Sequence, residues 1–263
     1  MKYVVVTGAY GGMGYAAVNA LKNKGYFVFA IDKKVRSAEE NVMPIEADLT
    51  DSSAVEKAFN TVKAVSEDIY AFIHFAGIYN LDSLVEISEE SFKRIFEINV
   101  FAAYRVNKIF LPLLHKGSRI IITTSELAPL DPLPFTGIYA ITKSTLDKYA
   151  YSLRMEVQLL GISVSILRPG AVDTGMLGVS TDALDRFTEN TALYSCNAKR
   201  FRGIVQKVEA RKIKAEKIGD MAVRILKAKR PRLVYKINRN PLLLMLQALP
   251  SRLSAFIIKL ILK

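Results

Sequence analysis

Val4-Val-Val-Thr-Gly8-Ala-Tyr-Gly-Gly12-Met-Gly14 decides how the rest of the chain is read. Its first residues are apolar and β-branched and stop at glycine, and the run continues into Tyr15-Ala-Ala-Val-Asn-Ala-Leu-Lys22. That order predicts a strand, a glycine turn and a helix. Glycines in such a turn let the backbone bend sharply and approach a pyrophosphate, whose charge then meets free amides and the positive end of the helix dipole. The next apolar run, Tyr26-Phe-Val-Phe-Ala-Ile31, ends at Asp32, 18 residues past Gly14. A carboxylate there is placed to accept hydrogen bonds from an adenosine ribose.

Outward from this unit, Pro44-Ile-Glu-Ala-Asp48-Leu49 reads as a third strand that closes on a carboxylate able to meet an adenine amine. Asp51 to Val65 reads as a helix, and Ile69-Tyr-Ala-Phe-Ile-His74-Phe-Ala-Gly77 as a fourth strand. Small residues Ala76 and Gly77 sit at its carboxyl end, the side on which ligands lie in doubly wound sheets. His74 reads as a buried strand histidine. Ser88-Glu-Glu-Ser is a capping signal, after which Phe92 to Leu114 is expected as one long helix containing Asn99. Asparagine inside an apolar helix is costly unless paired, so Asn99 is either a packing residue with partners or a group that binds water. Alternating strands and helices predict an α/β fold with a doubly wound, mainly parallel sheet covered on both faces.

Further on, Ile120-Ile-Ile-Thr-Thr-Ser125 is an apolar strand ending in hydroxyls, followed by Tyr139-Ala-Ile-Thr-Lys143 and Arg168-Pro169-Gly170. Tyr139 and Lys143 share a helix face, so the ammonium is expected to favour the phenolate. A tyrosine with a pKa of about 10 needs such a neighbour to act as a general base near neutral pH. Tyr104 and Lys108 repeat the spacing but have no serine delivered by a preceding strand.

At 263 residues, with 51% hydrophobic and 24% charged residues, the chain is ordinary for a globular protein and is expected to form one domain over 1–237 with a helical tail over 238–263. The single cysteine, Cys196, reads as a small buried apolar residue. One thiol forms no internal disulfide and offers no cysteine cluster for a metal, which suits a reducing, cytoplasmic setting. Met1 passes directly into the first strand, leaving no room for a signal peptide. The net charge of +12 is concentrated at one end: residues 199–263 hold 18 Lys and Arg against 3 Asp and Glu, a net of +15, and residues 1–198 carry a net of −3.

Taken in order, Thr7-Gly8, Gly12, Gly14, Asp32, Asp48, Ala76-Gly77, Asn99, Ser125, Tyr139-x-x-x-Lys143 and Arg168-Pro169-Gly170-x-x-x-Thr174 resemble the short-chain dehydrogenase/reductase family, over about residues 2–237. The resemblance implies a Rossmann-like oxidoreductase in which Tyr139 exchanges a proton with the substrate oxygen and Ser125 holds that oxygen. Lys143 would bind the nicotinamide ribose and lower the tyrosine pKa, and Asn99 would place a water linking Lys143 to solvent. Gly8, Gly12, Met13 and Gly14 would cradle the pyrophosphate, Asp48, Leu49, Ala76 and Gly77 would also contact the cofactor, and Val172 and Thr174 would meet the nicotinamide carboxamide. No metal is implied. NAD is expected over NADP because Asp32 repels a 2′-phosphate, although Lys33 or Lys34 is able to reach one. Two departures stand out. The family's usual Asn-Asn-Ala-Gly appears as His74-Phe75-Ala76-Gly77, removing polar groups that tie strands together. Ser125 also lies 14 residues before Tyr139, one more than is usual, in a loop where Pro129, Pro132 and Pro134 can absorb an insertion; Thr124 is a weaker candidate for the serine role.

Residues of about 175–215 fall where this family builds its substrate lid. Met176, Leu177, Val179, Leu184, Phe187, Leu193 and Tyr194 make it apolar and aromatic, which biases the expected substrate toward a steroid, retinoid or long-chain lipid. Ile204 to Lys214 and Ala215 to Ala228 read as helices, and Arg232 to Ile237 as a last strand. Asn240-Pro241 is expected to start a helix through Leu249. In a second helix after Pro250, Leu253, Phe256, Ile257, Leu260 and Ile261 recur at helical spacing beside a stripe of Arg252, Lys259 and Lys263. This tail reads as an amphipathic surface helix for peripheral membrane contact, a dimer contact or a cover over the substrate cleft; nucleic acid is not expected because no binding motif accompanies the charge. Three functional readings remain: a lipophilic alcohol dehydrogenase, a 3-oxoacyl-thioester reductase that docks an acidic carrier on the basic tail, and a non-catalytic cofactor sensor or scaffold. A homodimer or homotetramer is implied by resemblance alone.

Overall fold

The computed structural model describes residues 1–209 and 211–263, with the side chains of 175–182 and 207–209 outside the description. The first half runs β1 (Lys2–Thr7), α1 (Gly12–Lys22), β2 (Tyr26–Asp32), β3 (Val42–Glu46), α2 (Ser52–Val65), β4 (Ile69–His74), α3 (Glu89–Phe96) and α4 (Ala102–Phe110). The second runs β5 (Leu114–Thr123), α5 (Gly137–Val157), β6 (Ser163–Pro169), β7 (Val172–Asp173), α6 (Gly175–Asn190), α7 (Ser195–Glu209), β8 (Ile213–Lys214), α8 (Glu216–Lys227), β9 (Val234–Ile237), α9 (Pro241–Gln247) and α10 (Ser251–Leu262).

Seven strands form one sheet in the order β3-β2-β1-β4-β5-β6-β9, and every pairing is parallel. The order reverses between β1 and β4, which opens a crevice at the carboxyl ends of those strands. Alternation along β1 explains why both sheet faces are covered. Val5 points into a core shared with Phe29, Phe72 and Phe110, while Val4 and Val6 point into the opposite core with Val18, Leu21 and Ile218. Val4, Val5 and Val6 are fully buried, and each such side chain contributes roughly 1.5–3 kcal/mol. On the second face Gly219 lets α8 approach α1, since a Cβ there would lie 2.5 Å from the Ala16 carbonyl oxygen.

Several boundaries differ from expectation for identifiable reasons. The stretch from Phe92 to Leu114 is not one helix: a π-helical turn, Glu97–Phe101, separates α3 from α4, and Leu114 already belongs to β5. Pro112 lies in a short 3-10 turn, Leu111–Leu113, where the helix ends. Nor is Ile204 to Lys214 a helix, because α7 starts at Ser195, and Ile213 and Lys214 pair as β8 with β7. Cys196 is exposed, not buried. Ala198 and Phe201 supply the buried side of α7, with Val205 packed on the same cluster as Phe201, which leaves Cys196 on another face. Ser88 does cap α3, accepting from the Ser91 amide at 3.2 Å, and α9 ends at Gln247, two residues short of Leu249.

Candidate active site

The glycine turn is built by contacts that exclude side chains. Gly8 has φ of 65°, and a Cβ on it would sit 2.5 Å from the Ala76 nitrogen; on Gly12 it would sit 2.4 Å from the Thr174 Cβ; on Gly14, 1.9 Å from the Gly8 carbonyl oxygen. Backbone amides and the amino end of α1 therefore face a cleft of about 1340 Å³ without intervening side chains. At its far side Asp32 ends β2, its two carboxylate oxygens accepting from the Tyr10 amide at 2.8 Å and the Lys33 amide at 2.7 Å. Asp48 lies just past β3, not within it. Its carboxyl is held down at about 2 by the Lys33 ammonium, 2.7 Å away, and by Thr50, whose amide and hydroxyl both donate to it. Leu49 lines the same cleft. The cradle that any Cβ would fill, and the carboxylate beyond it, fit a dinucleotide.

Met13, Gly77 and Thr174 also line a second, apolar cavity of about 210 Å³, so the two spaces are contiguous. Ser125, Tyr139, Lys143 and Val172 line this second space. Ser125 lies on the same cavity wall as Tyr139, near enough for its hydroxyl to lower the phenol's proton affinity, so the longer loop still brings serine toward tyrosine. Thr124 is engaged elsewhere, donating to Asp147 at 3.2 Å; Asp147 also takes two bonds from Arg168, at 2.8 and 2.6 Å. Asn99, buried in the π-helical turn, accepts from the Ile78 amide at 2.8 Å and donates to the Ile78 carbonyl at 3.0 Å and the Thr142 hydroxyl at 3.1 Å. A Cβ on Gly77 would lie 3.2 Å from the Asn99 Oδ1 and 3.3 Å from the Lys143 Nζ, so both polar groups converge on that glycine.

The electrostatics differ from the simple Tyr-x-x-x-Lys argument. Burial pushes the Tyr139 phenol up to about 12, opposed by the nearby Ser125 hydroxyl, and pushes Lys143 down to about 8. The Lys143 Nζ stands 5.7 Å from the phenol ring centre and donates to the Thr123 carbonyl at 3.3 Å. Desolvation therefore decides the balance, and the resting phenol is a proton donor.

Replacing the usual asparagine by His74 does not leave the strand untied. The His74 Nε2 donates to the Asn107 Oδ1 at 2.9 Å, a role fixed because Asn107 gives its own amide protons to the Tyr149 hydroxyl at 3.1 Å. Thr7, paired with His74 in the sheet, approaches the Nδ1 at 3.4 Å. Burial holds the imidazole down at about 4, from an ordinary 6.5. An unfolded His74 takes up its proton near pH 6.5 and the folded one does not, so its contribution to stability is intact above pH 6.5 and lost as pH falls toward 4, a total of roughly 3 kcal/mol. In thermal melts His74→Asn is expected to be the less stable protein at pH 7, with the gap to the parent narrowing steadily down to pH 4.5; a constant gap would contradict the buried neutral imidazole.

Sequence reasoning missed three contributors. Tyr79 packs edge-on against Tyr139 with ring centres 4.6 Å apart. Phe135, in the left-handed region at φ 65°, sits among Phe187, Tyr194 and Phe201, joining the loop after Ser125 to α6 and α7. Glu126 accepts from the Asn240 amide at 2.7 Å and so ties the serine loop to α9. Only the apolar and aromatic richness of the expected lid, about 175–215, signalled any of this. The expected lid residues Met176, Leu177 and Val179 have side chains outside the description.

Comparison with known proteins agrees with this geometry. The short chain dehydrogenase family model matches residues 2–185, and the chain belongs to the short-chain dehydrogenase/reductase family. It is 29% identical over 254 residues to a Helicobacter pylori protein named "probable short-chain type dehydrogenase/reductase VdlC", covering 94% of this chain and 93% of that one. It is 30% identical over 197 residues to mouse estradiol 17-beta-dehydrogenase 2, covering 70% of this chain and 51% of that protein, so the chain spans about half the length of that relative. A crystal structure of a short chain dehydrogenase from Burkholderia cenocepacia in complex with NADP superposes with a TM-score of 0.73 at 21% identity, over 99% of each chain.

Proposed function

We propose that this chain interconverts a secondary alcohol and a ketone on a lipophilic molecule, using a nicotinamide dinucleotide and Tyr139 as the acid/base. The observation that carries the reading is that Ser125, Tyr139 and Lys143 line one apolar cavity that opens onto the glycine cradle. The dinucleotide, when bound, supplies or accepts the hydride. Ser125 holds the substrate oxygen, and Tyr139, protonated at rest, gives its proton to that oxygen as the carbonyl becomes an alkoxide. In the reverse direction the phenolate takes the proton back. Lys143 orients the cofactor ribose, and Asn99 fixes the strand-end loop against α5.

The mouse relative named for estradiol and the apolar walls contributed by Leu127, Leu133, Phe201 and Leu243 support a lipophilic substrate. About 210 Å³ is less than the roughly 300–1,000 Å³ of most ligand sites, so a steroid-sized molecule needs α6 and α7 to shift, whereas a single acyl chain with a secondary hydroxyl enters more readily. NADH formation from a panel of secondary alcohols, with an acyl-thioester reduction arm, tests the substrate class. Activity confined to the thioester arm would replace the alcohol reading with that of a carrier-docking reductase. Exposed Phe101 and Tyr104 on the 97–110 segment and Tyr151 and Met155 on α5 support self-association through those helices, which the solution mass decides.

NAD is the preferred cofactor in this reading. Asp32 stands at the ribose end, Lys33 is committed to Asp48, and the Arg36 guanidinium lies 4.0 Å over the Tyr15 ring, so two of the cations nearest Asp32 are engaged elsewhere. The parent protein is expected to bind NADH more tightly than NADPH in fluorescence titrations. Asp32→Ser should narrow or invert that ratio by about tenfold, through loss of repulsion toward a 2′-phosphate. A parent preference for NADPH would overturn the assignment.

A further inference from the structure

The last two helices pack inward with one face and present a different chemistry with the other. Leu243 of α9 lines the cavity, and Ile258 and Leu262 of α10 pack with Leu81, Leu184 and Phe201. Polar ties fix the pair in place: Asn240 to Glu126, a reciprocal pair of 3.0 Å bonds between Gln247 and Asp131, and Asn197 to the Leu262 carbonyl at 2.6 Å. The outer surface should then be polar, yet Leu242 is 60% exposed, Met245 68%, Phe256 62% and Leu260 67%. Leu253, Phe256 and Leu260 fall at i, i+3 and i+7, one stripe along α10, and Arg252, Lys259 and Lys263 run along its border.

We propose that this outer face docks on an anionic lipid surface and sets the mouth of the apolar cavity against the acyl chains. Apolar side chains bordered by lysine and arginine on a helix lying flat are what an interface with anionic headgroups selects, with the long basic side chains reaching the phosphates. The wider charge is complementary too, because residues 199–263 carry a net of +15. A second copy of this chain fits the face less well, since a two-fold contact would bring Arg252, Lys259 and Lys263 against their own counterparts. No helix among the described residues is long and apolar enough to cross a membrane, so the contact lies on the surface. The delivery of substrate from lipid rests on the alcohol–ketone reading above; the docking itself does not.

Flotation of the purified full chain tests it, with vesicles of phosphatidylcholine alone and of phosphatidylcholine mixed with phosphatidylglycerol. Binding to the mixed vesicles is expected, at least about tenfold weaker on the neutral ones or at high salt. Phe256→Ser with Leu260→Ser should reduce flotation at least about tenfold while leaving NADH binding and solution mass unchanged. Should that pair fail to fold, as judged by its melt, Lys259→Glu with Lys263→Glu decides instead and should abolish the preference for phosphatidylglycerol. Failure of the parent to float, flotation indifferent to these substitutions, or a dimer that becomes a monomer in lipid-free buffer on replacing Phe256 and Leu260 would each overturn the proposal. Flotation without turnover of any alcohol would leave the docking standing and remove the substrate reading alone.

Discussion

Tyr139→Phe is expected to lower turnover about 10³-fold with NADH binding unchanged, because it removes one oxygen and leaves the ring where it packs. The ring is held by Tyr79 at 4.6 Å and is almost fully buried, so phenylalanine keeps its position. What disappears is the hydroxyl and its proton, beside Ser125 on the same cavity wall. The loss should therefore fall on kcat more than on KM. The direction of reaction supplies a second signature. With the phenol pushed up to about 12, the deprotonated fraction grows about tenfold per pH unit below that value. Alcohol oxidation by the parent should climb with pH, whereas ketone reduction, which uses the protonated phenol, should not rise with it. Above pH 8, where the buried Lys143 sheds its charge, reduction should decline. Retention of more than about a tenth of the parent turnover in the phenylalanine variant would mean that another group moves the proton.

The sheet, its parallel sense and the crevice were legible because periodicity and glycine punctuation are local signals: Val4 to Gly14 specifies strand, turn and helix without reference to anything distant. That Ser125 and Tyr139 share one cavity wall was foreseeable for a related reason, as a strand end and a helix start are each marked locally and proline tolerates the extra residue between them. The altered proton affinities were not. They depend on desolvation, and nothing in Tyr139-Ala-Ile-Thr-Lys143 says that both ends of the pair lie under Tyr79 and the loop that follows β4. The π-helical turn at Asn99 was equally silent, since a single extra residue in a helix leaves hydrophobic spacing nearly intact while rotating the amide toward Ile78 and Thr142. His74 shows the converse error. Comparison with a motif counted a lost asparagine, whereas the fold supplies Asn107 from α4, 33 residues away, as its partner. For the tail, amphipathic spacing correctly announced a helix but gave no direction for its faces; that came from Leu243 and Leu262 packing inward.

Gly14→Ala should be the most damaging single-methyl substitution in the cofactor cradle, and Gly11→Ala the control that shows why. At Gly14 the new Cβ would meet the Gly8 carbonyl oxygen at 1.9 Å, its carbon at 2.8 Å and the Ala9 Cα at 3.0 Å. All three are backbone atoms, so no side chain can swing away and the turn or the start of α1 must move. Moving Gly8 is itself blocked, because it is pressed against Phe75 and Ala76 and holds φ at 65°. The methyl therefore opens the contact between β1, β4 and α1 that aims the free amides at the cleft. Loss of that aim should weaken NADH binding more than about 100-fold, and overpacking of this kind costs about 1–3 kcal/mol or more of stability. At Gly11 the same methyl would find its nearest neighbour at 3.4 Å, ordinary contact distance, and the residue's φ of −70° suits alanine. Its NADH affinity should fall by less than about threefold, since nothing there must shift. Equal losses in the two variants would show that the turn responds to lost chain flexibility and not to the close approach of Gly14 to Gly8; equal retention would show that the amides of this turn do not hold the dinucleotide.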